Sequence, residues 1–136
     1  MIATINSAIA KKREEGEKGF TLIELLVVIL IIGVLAAIAI PVFLNQRQGA
    51  WEAQVESDIA NATIAAESYS VKNNGSYASL TVPLLASNGY NATPDVNLTV
   101  TSTATAYTFT VTHSLMSGVT WTYSSATGRV TGGPTP

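Results

Sequence analysis

Few side chains in this sequence are placed to do chemistry. Histidine occurs once, at His113, in phase with Phe109 and Val111 at the end of a strand-like run. A lone strand-end imidazole reads as structural rather than as a catalytic base. Cysteine is absent, so no thiolate nucleophile, thiolate metal ligand or disulfide is available. No HExxH, glycine-rich phosphate loop or nucleophile elbow occurs. Glu52 and Glu56 stand one helical turn apart and resemble half of a metal site, but a hard cation needs about six oxygens and no such set surrounds them. They read as a solvated or subunit-facing acidic edge. Asn61, Asn74, Asn91 and Asn97 each open an Asn-x-Ser/Thr triplet, which chance supplies in a chain this rich in Asn and Thr. These absences point away from an enzyme, and no cofactor or metal is expected.

The chemistry that remains lies near the start, in Lys18-Gly19-Phe20-Thr21-Leu22-Ile23-Glu24. Glu24 introduces a carboxylate into an apolar run, where an uncompensated charge costs on the order of 2.5 kcal/mol or more. A cation, or a capping box with Thr21 three residues earlier, would satisfy it. Gly19 is a small residue suited to proteolysis, and it precedes the apolar segment. A secretory signal has the reverse order, with the cleavage site after an h-region of about 7–15 residues.

The element carrying these residues has no ionisable side chain from Leu25 to Leu44. At about 1.5 Å per residue it reaches roughly 30 Å, the thickness of a bilayer's hydrocarbon core. It is apolar on every face, as expected for burial in lipid or among identical helices. Gly33 and Pro41 interrupt it, and the helix between them is its weakest part, a place to kink. Lys11, Lys12, Arg13 and Lys18 precede the span, whereas only Arg47 is basic between it and Lys72. That asymmetry predicts a single pass with the N-terminus in the cytoplasm.

Gly19-Phe20-Thr21-Leu22-Ile23-Glu24 with the apolar tail through Pro41 resembles the class III signal and N-terminal helix of type IV pilins and type II secretion pseudopilins. The near-identical stretch covers about Lys18 to Arg47; beyond it the general layout agrees. The resemblance implies that residues 1–19 are a cytoplasmic leader cut by a prepilin peptidase between Gly19 and Phe20, with N-methylation of Phe20. It implies that Glu24 and the Phe20 amine meet between copies during filament assembly. It also implies that Gly33 and Pro41 mark where the helix stretches or melts on leaving the bilayer.

Beyond Pro41, Trp51, Val55, Ile59, Ala62, Ala66 and Tyr69 recur at steps of three and four, with Glu52, Glu56, Asp58, Asn61 and Glu67 assigned to the polar faces. One helix from about Phe20 to Val71 is predicted, stopped by Asn73-Asn74-Gly75. Tyr77 to Asp95, with Pro83, Asn88-Gly89 and Pro94, reads as a loop with room for one short element. Val96/Leu98/Val100, Tyr107/Phe109/Val111 and Val119/Trp121/Tyr123 alternate with polar residues, predicting three strands. Ala126-Thr127-Gly128 turns into a short fourth around Arg129 and Val130, and Gly132-Gly133-Pro134 is expected to end ordered structure.

The expected fold is therefore α+β: a long N-terminal helix with a protruding membrane half (20–44) and an amphipathic half (45–72). A loop (73–95) and a small antiparallel sheet of three to four strands (96–131) complete a head spanning 45–136, the pilin fold. The net charge of −2 over 136 residues gives no polyanion-binding signal, and no specific nucleic-acid site is evident. The resemblance implies the major subunit of a type IV pilus for adhesion, motility or DNA uptake. Its partners would be itself as a helical homopolymer, the prepilin peptidase and the inner-membrane assembly machinery. The precursor would sit in the cytoplasmic membrane and the mature form in a surface filament. The alternatives are the major pseudopilin of a type II secretion or competence pseudopilus, and a single-pass membrane-anchored binding module.

Overall fold

The computed structural model describes residues 19–135; the leader expected over residues 1–19 lies outside them except for Gly19. The chain divides into two units, Met1–Phe43 and Leu44–Pro136.

In the first unit Gly19, Phe20 and Thr21 precede helix α1, Leu22–Lys72. α1 is assigned continuously through Gly33 and Pro41. Proline has no N–H to donate, so the carbonyl four residues earlier, at Ala37, loses its helical partner. From Leu22 to Leu44 the large apolar side chains are exposed, and α1 is long and apolar enough to cross a membrane. Among the described residues of this unit none covers them.

The second unit has a core of its own. The later turns of α1 bury Val55, Ile59, Ala62, Ala65, Ala66 and Tyr69. Asp58 is buried in the same stripe, which corrects its assignment to a polar face. It follows Val55 by three residues and precedes Ala62 by four, so helical phase places it inward whatever its polarity. α1 ends where Asn74 and Gly75 take positive φ (55° and 80°) and the Gly75 N–H closes onto the Ser70 carbonyl at 2.7 Å.

The connection then forms a six-residue helix, α2, Val82–Ser87. Thr81 caps it by accepting from the Leu84 N–H, a proline occupies its first turn, and Leu85 is fully buried. Four strands follow: β1 (Val96–Ser102), β2 (Tyr107–His113), β3 (Thr120–Ser124) and β4 (Arg129–Gly132), paired antiparallel in the order β1-β2-β3-β4. The register aligns Leu98, Val111, Trp121 and Gly132 across the sheet, and Val100, Phe109, Tyr123 and Val130 in the next row of the same face, where Val130 on the edge strand is exposed. Thr99, Thr110, Thr122 and Thr131 form a row on the other face. Alternation of period two thus separates a dry face from a hydroxyl face.

The sheet extends to Gly132 rather than ending before it, and the Gly133 N–H donates to the Thr120 carbonyl at 2.9 Å. Gly132 has φ +85°, and a Cβ there would collide with the Thr120 carbonyl oxygen. Glycine at this position lets the two backbones close. The architecture is the expected α+β one, a long apolar N-terminal helix with a four-stranded antiparallel sheet.

Candidate functional site

Gly19 and Phe20 are exposed and lie outside regular secondary structure, immediately before the first turn of α1. Phe20 is 87% exposed. A scissile bond must be drawn out extended into a protease, and here no helical hydrogen bond has to break first. Thr21 and Glu24 form a reciprocal box: the Thr21 N–H donates to Glu24 Oε2 at 3.1 Å and the Glu24 N–H donates to Thr21 Oγ1 at 3.3 Å. Two of the helix's orphan donors are thereby satisfied, and the carboxylate lies at the positive end of the helix dipole. The box uses one carboxylate oxygen. A carboxylate offers about four acceptor positions, so capping leaves Glu24 able to receive an amine as well. The two sequence readings of Glu24 are chemically compatible.

In the head the polar side chains act mainly as fasteners. Asp58 Oδ2 accepts from the Tyr90 hydroxyl at 3.1 Å and from the Thr93 N–H at 3.0 Å, and its Oδ1 accepts from the Thr93 hydroxyl. One carboxylate on α1 thus holds the segment leading into β1. Glu67 accepts from the hydroxyls of Tyr77, at 2.9 Å, and Tyr107, at 3.3 Å. Burial, reinforced by these carboxylates, raises the pKa of Tyr77, Tyr90 and Tyr107 above the ordinary tyrosine value.

His113 ends β2 and is buried; its Nε2 lies 2.8 Å from Gln54 Oε1 and its Nδ1 accepts from the Leu115 N–H at 3.2 Å. Those partners assign the proton to Nε2 and occupy both ring nitrogens. Trp51 packs at 5.7 Å from the imidazole, with the Arg47 guanidinium 5.3 Å from the tryptophan ring centroid. Glu52 and Glu56 line an open groove with Trp121, Val130 and Gly133. Among the described residues no group of three His, Cys, Asp or Glu is placed to hold a metal ion.

Asp58 and the tyrosine partners of Glu67 are the polar residues that sequence reasoning missed. For Asp58 a signal existed, its phase in the apolar stripe. For Glu67 none did, because Tyr77 and Tyr107 reach it only through the tertiary fold.

Comparison with known proteins places this geometry among relatives. Residues 16–40 match the prokaryotic N-terminal methylation motif. The chain is 41% identical over 107 residues to the type IV wide pilus major component PilA4 of Thermus thermophilus, covering 76% of this chain and 78% of the relative. It is 32% identical over 89 residues to a type IV major alpha-pilin of Moraxella bovis, 65% of this chain and 52% of that one. It is 38% identical over 58 residues to the type II secretion system core protein G of Pectobacterium carotovorum, where the match covers 43% of this chain and 37% of the relative. No solved structure gives a significant match.

Proposed function

The chain belongs to the family of type IV pilins and type II secretion pseudopilins, and from that premise we propose that it is the major structural subunit of a type IV pilus. The observation that carries the reading is an apolar helix from Leu22 to Leu44 with its large side chains exposed, preceded by an accessible Gly19-Phe20 bond. Removing such surface from water is worth roughly 25 cal/mol per Å². Lipid fills that role for the precursor, and identical helices fill it in the filament.

In this reading a prepilin peptidase cuts after Gly19 at the cytoplasmic face and Phe20 is N-methylated. The precursor sits in the cytoplasmic membrane with its N-terminus inside and residues 45–136 outside. The mature form occupies a surface filament built with the inner-membrane assembly machinery. Gly33 and Pro41 supply the weak stretch of helix that yields as a subunit leaves the bilayer. Glu24, with a carboxylate position free beyond its capping role, receives the Phe20 amine of a neighbouring copy, because an unpaired charge in a low-dielectric interior is strongly disfavoured. The protein acts by assembly and performs no catalysis.

The experiment is Glu24→Ala. Processing after Gly19 continues while filaments are lost; filaments of normal number and length from this variant would contradict the reading. A second reading, the major pseudopilin of a secretion pseudopilus, is favoured by the 58-residue match to core protein G. The wide-pilus relative favours the pilus, because its match extends over 107 residues and so beyond the N-terminal helix.

A further inference from the structure

The carboxylates of the head divide into two groups. Asp58 and Glu67 hold the hydroxyls described above, and Asp95 accepts from the Ser114 hydroxyl at 2.8 Å. Glu52 and Glu56 have no hydrogen-bond or ion-pair partner among the described residues, yet they line a groove of about 700 Å³ beside β4. The groove is therefore acidic, and among the described residues no lysine or arginine lines it.

Beyond Gly19 the sequence contains one lysine, Lys72, the last residue of α1. Its Nζ donates to Asn88 Oδ1 at 2.9 Å, a neutral acceptor, which leaves two donors and the charge without a carboxylate. Lys72 follows Glu56 by sixteen residues and Glu52 by twenty. At 1.5 Å per residue those separations are about 24 and 30 Å, too far for contact within one chain. Two copies displaced along the helix axis by that distance bring the ends together.

We propose that the Glu52/Glu56 groove is the receptor for Lys72 of a second copy, so that neighbouring heads stack along the filament axis through this pair. The inference rests on the filament reading above and adds the contact that sets the spacing of heads. The contact is heterologous: every copy offers a groove at one end of this helical segment and an ammonium at the other, so the stack does not close and extends without limit. Exposed charges contribute register and selectivity more than cohesion, because alternative stackings leave like charges adjacent. Cohesion comes from the apolar helix.

Carbodiimide treatment of purified filaments tests this on the unaltered protein. The reagent joins an amine to a carboxylate that touches it, and Lys72 is the one lysine side chain left after the leader is removed. The expected result is a ladder of oligomers containing a peptide that joins Lys72 to Glu52 or Glu56. Such a bond must run between copies, given the separation within one chain. Filaments in which Lys72 stays unmodified or couples to another carboxylate would overturn the proposal. A processed chain that forms no filament at all would instead refute the filament reading beneath it. Charge exchange gives an independent readout: K72E alone and E52K/E56K alone each lower filament yield several-fold, and the combined variant recovers it. Equal yields from all three, or no recovery, would count against the pairing.

Discussion

Replacing Asp58 separates a hydrogen-bonding fastener from an ordinary core position. The side chain is 1% exposed and receives three donors: the Tyr90 hydroxyl, the Thr93 N–H and the Thr93 hydroxyl. Asp58→Ala removes the acceptor from all three. Tyr90 is buried and the Thr93 backbone cannot turn away, so two donors are stranded at about 1–3 kcal/mol each, whereas the half-buried Thr93 hydroxyl can rotate toward water. The expected loss is about 2–6 kcal/mol, a large share of a small domain's stability. Asp58→Asn keeps the volume and one acceptor oxygen; its amide group meets the Thr93 hydroxyl, which can turn to accept. Only the charge-assisted part of the bonds is lost, about 1–2 kcal/mol. Urea unfolding of the processed protein in mild detergent, followed by emission from Trp51 and Trp121, measures both. An alanine variant within about 0.5 kcal/mol of wild type, the range of neutral surface changes, would refute the reasoning. So would an asparagine variant as unstable as the alanine one.

Two further outcomes follow from the head's packing. Phe109 is fully buried between Tyr107 and Tyr123, with ring centroids 4.9 and 6.0 Å away, so Phe109→Ala is expected to cost about 3–5 kcal/mol in the same assay. Tyr77, Tyr90 and Tyr107 have pKa values raised in the folded state, chiefly by burial. The unfolded chain loses these protons first as pH passes about 10, so stability holds below that pH and falls above it. Urea midpoints across the alkaline range, with tyrosinate absorbance recorded in parallel, check the sign; a midpoint that rises beyond about pH 10 would reverse it.

The membrane-length helix was legible because a twenty-residue run without charge has few other uses. The end of α1 was legible because Asn74-Gly75 adopts the left-handed turn that few other pairs tolerate. The strands were visible in the alternation of Tyr107, Phe109 and Val111 with threonines. α2 was harder: six residues give less than two turns of periodicity, and its cues were Thr81 as cap and Pro83 in the first turn. Asp58 is polar by residue type but inward by helical phase, and a buried carboxylate is stable wherever donors converge on it. Those donors, on Tyr90 and Thr93, are more than thirty residues away in sequence. The box joining Thr21 and Glu24 was readable from its spacing, since both partners sit in one turn. Pairings over long separations, such as Gln54 with His113, became visible only in the folded chain.

The most direct test of the central claim is the intact mass of this protein in material sheared from the cell surface. The expected species is a chain beginning at Phe20 and carrying one additional methyl group. A chain still intact from Met1, or a processed form confined to membranes and missing from sheared material, would contradict a surface filament built from this subunit.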